Sequence, residues 1–131
     1  MRIGIIGCGG MGVVHARVAT NAGFRVVVCA DPVREKADAL ASSYGAQSTT
    51  ECFSLAKRDD VDLVAITTPT PCHAPYIIAA AEAGKDIFCE KPLGRTLDEC
   101  HSAAEAVKRF GVRLYVGHVV RFFQEFELMR A

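Results

Sequence analysis

The stretch Arg2-Ile3-Gly4-Ile5-Ile6-Gly7-Cys8-Gly9-Gly10-Met11-Gly12 decides the fold. Ile3, Ile5 and Ile6 make a short β-branched run bounded by glycine, which reads as a buried strand. Gly7 to Gly12 then satisfies G-x-G-x-x-G. Beyond it Met11, Val14, Val18 and Ala22 recur at helical spacing, predicting a helix buried along that stripe and stopped by Gly23. Alone the glycine string says little, because glycine turns are common. Between a strand and a helix it acquires a mechanical meaning. Gly7 allows the tight turn, Gly9 lets backbone approach a pyrophosphate, and Gly12 lets the helix pack close to the strand. The helix N-terminus offers free N–H groups and partial positive charge to the phosphates. The plainer reading is a βα turn with small residues for packing.

The same alternation runs outward through the chain. Phe24 to Ala30 is a continuous apolar strand, and Pro32 suits the first turn of a helix with a buried stripe of Val33, Ala37, Leu40 and Tyr44. A weak strand near Ala46-Gln47 and a short helix from Glu51 to Lys57 follow. Val61 to Ile66 is strand, and His73 to Ala83 is a helix with Ala74, Ile77, Ile78 and Ala81 on one face. Asp86 to Cys89 is strand. Thr96 with Glu99 three residues on has the capping-box pattern, and Leu97, Cys100, Ala104 and Val107 form the expected stripe of its helix. Arg113 to Val116 is a sixth strand, and a last helical stretch begins near Val120. Gly23, Gly45, Gly84 and Gly111 each follow a helix and are expected in the left-handed C′ position. Strands that are apolar throughout imply a sheet covered on both faces. The order predicts an α/β fold with an open, doubly wound parallel sheet in a single domain.

Composition excludes several functions. Fifteen Lys and Arg balance fifteen Asp and Glu, which removes the basic footprint of a nucleic-acid binder or of a protein held on anionic lipid. No apolar run approaches a membrane span. The expectation is a soluble cytoplasmic protein. Cys8, Cys29, Cys52, Cys72, Cys89 and Cys100 lack C-x-x-C or Cys/His zinc spacing, so they read as reduced, buried thiols and no metal site is expected.

Three strand ends carry candidate chemistry. Asp31 closes the second strand nineteen residues after Gly12, where a carboxylate accepts from adenosine ribose hydroxyls and repels a 2′-phosphate. An N-cap ahead of Pro32 is its structural alternative. Arg34 lies near enough to leave NADP open, although NAD is favoured. Thr67-Thr68-Pro69-Thr70-Pro71-Cys72-His73 follows one strand and Glu90-Lys91-Pro92 another, both on the sheet edge where ligands bind. A Glu-Lys pair is most often a solvated surface pair, and His73 could simply start a helix. Convergence of three strand ends on one crevice favours function.

These segments, together with Ala80-Ala81-Glu82-Ala83-Gly84-Lys85-Asp86-Ile87-Phe88-Cys89 ahead of Glu90-Lys91-Pro92-Leu93 and the run Val116-Gly117-His118 to Phe123, resemble the N-terminal half of the glucose–fructose oxidoreductase/inositol dehydrogenase (Gfo/Idh/MocA) family. The resemblance implies a Rossmann fold and an NAD(P)-dependent oxidoreductase acting on sugars, polyols and related hydroxy compounds. It implies that Gly7, Gly9, Gly10, Met11 and Gly12 cradle the pyrophosphate and that Asp31 holds the ribose. Thr67, Thr68, Pro69 and His73 would line the cofactor, Glu90 and Lys91 would sit by the nicotinamide, and His118 would line the pocket. Lys91 matches the family's catalytic lysine, and the Lys91–Pro92 bond is expected to be cis.

Family members continue into a second α/β domain that forms the substrate floor and supplies the acid/base residue. This chain is expected to lack it. Residues 1–123 would form the dinucleotide domain, and residues 124–131 would start the helix leading onward. Gln124 stands where a proline is frequent. The expected behaviour is cofactor binding without turnover, with a non-enzymatic NAD-sensing or partner-binding module as the alternative. The apolar C-terminal segment, with Phe122, Phe123 and Phe126, predicts a homodimer through that segment.

Overall fold

A computed structural model describes residues 1–123 and 129. Six strands form the sheet: β1 Arg2–Ile6, β2 Arg25–Ala30, β3 Gln47–Thr49, β4 Leu63–Ile66, β5 Asp86–Glu90 and β6 Leu114–Gly117. They lie in the order β3-β2-β1-β4-β5-β6, and every neighbouring pair is parallel. The chain runs outward from β1 to β3, then returns to pair β4 against the other side of β1. That reversal leaves a crevice outside the carboxyl ends of β1 and β4. The helices are α1 Gly10–Asn21, α2 Arg34–Tyr44, α3 Cys52–Leu55, α4 His73–Glu82 and α5 Leu97–Phe110.

Each sheet face has its own core. Ile3 and Ile5 of β1 pack with Val26, Cys29, Ala16, Ala37, Leu40 and Ala41 under α1 and α2. Ile6 points the other way and joins Val28, Leu55, Val64, Ile66, Ile77 and Ile87 under α3, α4 and α5. Two buried faces explain why these strands read as apolar runs rather than alternating ones. On the first face the helices stop short of β5 and β6. There Val18, Phe24, Leu63, Phe88 and Tyr115 line an apolar groove of about 370 Å³ among the described residues.

Several local expectations need correction. The stripe Met11, Val14, Val18 and Ala22 of α1 is exposed; the sheet-facing residues are Gly12 and Ala16, with Ala19 partly buried. Small residues face the strands because α1 lies close to them, so the bulkier apolar groups point outward. In α5 the buried residue is Ala103, whereas Leu97 and Ala104 are exposed. In α2 Val33 is exposed and the helix begins at Arg34, two residues after Pro32. The last stretch is a 3₁₀ turn, Val119–Phe122, and the expected onward helix from residue 124 falls outside the described residues apart from Met129.

Other expectations stand. Thr96 caps α5 by accepting from the Glu99 N–H at 3.2 Å. Gly23, Gly45, Gly84 and Gly111 all have positive φ. All six cysteines are free, four of them buried, with Cys72 and Cys100 half-exposed. No helix among the described residues is long and apolar enough to cross a membrane.

Candidate functional site

The loop from β1 to α1 forms one wall of a cleft of about 460 Å³. Gly7 has φ of +96°, and a Cβ there would stand 2.8 Å from the Thr67 carbonyl carbon. A Cβ on Gly12 would meet the Gly7 carbonyl oxygen at 2.1 Å. Both glycines are therefore required by the protein itself. Gly9 and Gly10 are different: a Cβ on either would meet nothing within 4 Å. Gly9 is the N-cap of α1 and makes no side-chain cap, and the first turn carries no acidic residue. The leading N–H groups of a twelve-residue helix are thus left without a capping side chain at the cleft.

Asp31 closes β2 across from this loop and is buried. Its Oδ2 accepts from the Cys8 N–H at 2.8 Å, and its Oδ1 accepts from the Val33 N–H at 2.9 Å. The second bond is an Asx-type turn rather than the helix N-cap. Each carboxylate oxygen keeps a further lone pair for a ribose hydroxyl. Cys8 is held protonated: its hydrogen bond with Cys29, burial and the nearby negative groups push its thiol far above the ordinary range.

The β4 end supplies the opposite wall. The Thr67 hydroxyl sits 3.1 Å from the Ile6 carbonyl and 2.6 Å from that of Gly7, tying β4 to β1. Thr68 Oγ1 is the one buried side-chain polar atom among the described residues with no hydrogen-bond partner. Gly7, Gly9, Gly10, Met11, Asp31, Thr67, Thr68 and Pro69 thus meet in one cleft. Lys36, Cys72 and Tyr76 also line it and were not singled out from the sequence. Cys72 and Tyr76 lie one turn apart at the start of α4, a spacing that could have found them. Burial, with Cys52 beside it, pushes the Tyr76 phenol above its usual range.

Other candidate residues lie elsewhere. Arg34 points along α2, 4.0 Å from Asp38. His73 is 1% exposed, with Nδ1 2.7 Å from the Pro92 carbonyl and Nε2 2.9 Å from that of Thr68. It therefore brackets the Thr67–Pro69 and Glu90–Pro92 loops. The Lys91–Pro92 bond is cis and Lys91 is exposed. Glu90 is buried; its Oε2 accepts from the Lys91 N–H at 3.1 Å, and its Oε1 lies 2.6 Å from His15 Nε2. His118 is exposed at the end of β6. No cluster of three metal-ligating side chains occurs among the described residues.

Comparison with known proteins agrees with this geometry. Residues 1–118 match the GFO_IDH_MocA model, an oxidoreductase family with an NAD-binding Rossmann fold. The chain is 38% identical to the scyllo-inositol 2-dehydrogenase (NAD(+)) of Bacillus subtilis, with 93% of this chain and 36% of that protein covered. It is 37% identical to the inositol 2-dehydrogenase of Rhizobium meliloti, covering 99% of this chain and 39% of the relative. Among solved structures, an NAD binding oxidoreductase from Klebsiella pneumoniae superposes with a TM-score of 0.90 at 30% identity, over 98% of this chain and 37% of that one. GenD2 from gentamicin A biosynthesis, solved in complex with NAD, gives 0.84 at 30% identity, over 89% of this chain and 34% of its own. The chain spans under two-fifths of each of these proteins. With a β3-β2-β1-β4-β5-β6 sheet and a glycine cleft at its switch point, the chain belongs to the Gfo/Idh/MocA oxidoreductase family and constitutes its NAD-binding Rossmann domain.

Proposed function

We propose that the cleft binds NAD(H) with Gly7, Gly9, Gly10, Met11 and Gly12 around the pyrophosphate and Asp31 on the adenosine ribose. The observation that carries this reading is the α1 N-terminus, without a capping side chain, above a loop whose Gly9 opens onto the cleft. The orphaned Thr68 hydroxyl supports a polar ligand on the β4 side. NAD is preferred to NADP because the Asp31 carboxylate would face a 2′-phosphate while Arg34 lies along α2 toward Asp38.

Lys91 is the proposed catalytic residue, an exposed ammonium at the end of β5 that orients and polarises a substrate hydroxyl. Glu90 shapes the turn from which Lys91 projects. The bound nicotinamide supplies the hydride acceptor. The inositol dehydrogenases among the relatives support a polyol or related hydroxy compound as substrate of the longer protein. Residues 1–131 alone bind cofactor without turning over substrate, because the family's acid/base residue comes from a second domain.

Self-association with a second copy through the C-terminal segment is part of the same reading. Exposed Val119, Phe123 and Met129, and the apolar groove beside Tyr115, support it. Sedimentation at high concentration is expected to show a dimer, and a monomer overturns this point. Separate calorimetric titrations of NAD(H) and NADP(H) test the central claim. Tighter binding of NAD(H) is expected; no binding of either dinucleotide overturns it.

A further inference from the structure

Glu90 is held from two directions. His15, on the helix whose N-terminus faces the cleft, places Nε2 2.6 Å from Oε1. The Lys91 backbone N–H donates to Oε2 at 3.1 Å. Gly117 on β6 lies against Phe88 and Glu90: a Cβ there would crowd the Phe88 ring at 3.1 Å and stand in ordinary contact, 3.4 Å, with Oε1. The His15 ring also rests on Phe88, with centroids 4.6 Å apart. Side-chain exposure is 19% for His15 and 9% for Glu90, so water competes little for this contact.

A carboxylate accepts and cannot donate, so the imidazole N–H donates to Oε1. One oxygen thus answers to α1 and the other to the first peptide of the lysine turn. Losing the histidine would leave a buried oxygen without its partner, and the carboxylate would rotate to recover one. Rotation would remove the acceptor from the Lys91 N–H and redirect the turn.

We infer that His15 is a positioning residue, which locks the Glu90 carboxylate and through it couples the pyrophosphate helix to the Lys91 turn. The inference rests on the reading that this cleft binds NAD(H) with its nicotinamide toward Lys91. Coupling makes the two ends of one dinucleotide site a single unit: movement of α1 on the phosphates is transmitted to the lysine turn through one hydrogen bond.

The test uses ADP-ribose and NADH with the full chain and its His15→Leu and His15→Gln variants. ADP-ribose reads the adenosine and pyrophosphate end, and NADH adds the nicotinamide with its fluorescence. For His15→Leu, ADP-ribose affinity should stay within about twofold, while the NADH advantage falls by about fivefold, the scale of one lost hydrogen bond. The fluorescence change of bound NADH should fall with it. Gln carries a neutral N–H donor, and His15→Gln should restore both readouts. Parallel weakening of both ligands, or no change in either, overturns the inference. Equal binding of the two ligands by the unmodified chain overturns it too, since no nicotinamide contact would exist to lose. If the unmodified chain binds neither, the cofactor reading itself fails. Should His15→Leu not fold, Glu90→Gln, which weakens the same acceptor from the other side, must show the same split.

Discussion

The place of a Cβ on Gly12 lies 2.1 Å from the carbonyl oxygen of Gly7, whereas a Cβ on Gly9 would touch nothing within 4 Å. Two glycines of one motif therefore answer to different demands. Gly12→Ala should lower stability by several kcal/mol, about 3 or more, because α1 would have to move off the strand. Gly9→Ala should unfold at nearly the temperature of the unmodified protein, since Gly9 already has φ of −77°. Its NAD(H) affinity should nonetheless drop, because the methyl group occupies the space that the phosphates need. Thermal unfolding beside calorimetry separates the two. Equal melting temperatures for both variants would contradict this division.

Asp31 serves the protein and the proposed ligand together. Asp31→Ala should weaken NAD⁺ binding by about 1.5–3 kcal/mol, the range for charge-assisted hydrogen bonds, and narrow the preference for NAD over NADP. It should also cost about 1–3 kcal/mol of stability, because the N–H groups of Cys8 and Val33 lose their acceptor. Asn is no remedy: with both oxygens accepting from backbone N–H groups, its amide must turn an NH₂ toward one of them. The ratio of NAD to NADP affinities, measured on both variants, checks this. An unchanged ratio removes the ribose role.

Much of this arrangement was legible because its signals are local. The glycine spacing, Asp31 at a strand end and Thr96 before Glu99 are read from neighbours in sequence. What could not be read were choices made by tertiary distance. Helical spacing on α1 offers two stripes, one of Met11, Val14 and Val18 and one of Gly12, Ala16 and Ala19. Hydrophobicity chose the first and the structure buries the second. A G-x-x-x-A run was the available signal, since close approach to a sheet selects small residues over apolar bulk. The His15–Glu90 bond spans seventy-five positions and has no sequence signature at all. The resemblance implies that His73 lines the cofactor, whereas its two ring nitrogens face the Pro92 and Thr68 carbonyls.

The six free thiols should divide into two classes. Cys8, Cys29, Cys52 and Cys89 are buried, and burial together with the adjacent Glu90 charge pushes the Cys89 thiol up to about 12. A thiol reagent reacts with thiolate that it can reach, so the native protein should lose only Cys72 and Cys100 quickly. Cys72 lines the cleft and Cys100 lies on α5, away from it. Saturating NAD should therefore slow Cys72 and leave Cys100 unchanged. Mass mapping of the labelled sites reads both. Protection of Cys100 alone would place the ligand elsewhere.

Acid should unpick the end of the sheet opposite the cleft. Arg2 at the start of β1 donates to both carboxylate oxygens of Asp62, just before β4, and the Asp62 Oδ2 also accepts from the Arg2 N–H at 2.7 Å. The hydrogen bonds from Arg2 lower the Asp62 carboxyl from 3.8 to about 2. A carboxyl that is more acidic folded than unfolded stabilises the fold fully above the unfolded value. That contribution is lost as pH falls through the folded value, here between 3.8 and about 2. Asp86 beside Arg113 and Glu99 beside Arg95 are shifted in the same direction by hydrogen bonds from their arginines and add to the same acid limb. These pairs are solvent-exposed to differing degrees, so each contributes modestly and salt should weaken it. Asp62→Asn should flatten the loss of stability between pH 4 and pH 2, and leave the slope near neutrality unchanged. Urea unfolding midpoints across that window, at low and high salt, provide the measurement. An acid limb as steep in Asp62→Asn as in the unmodified chain would show that the carboxylates controlling acid stability lie elsewhere in the fold.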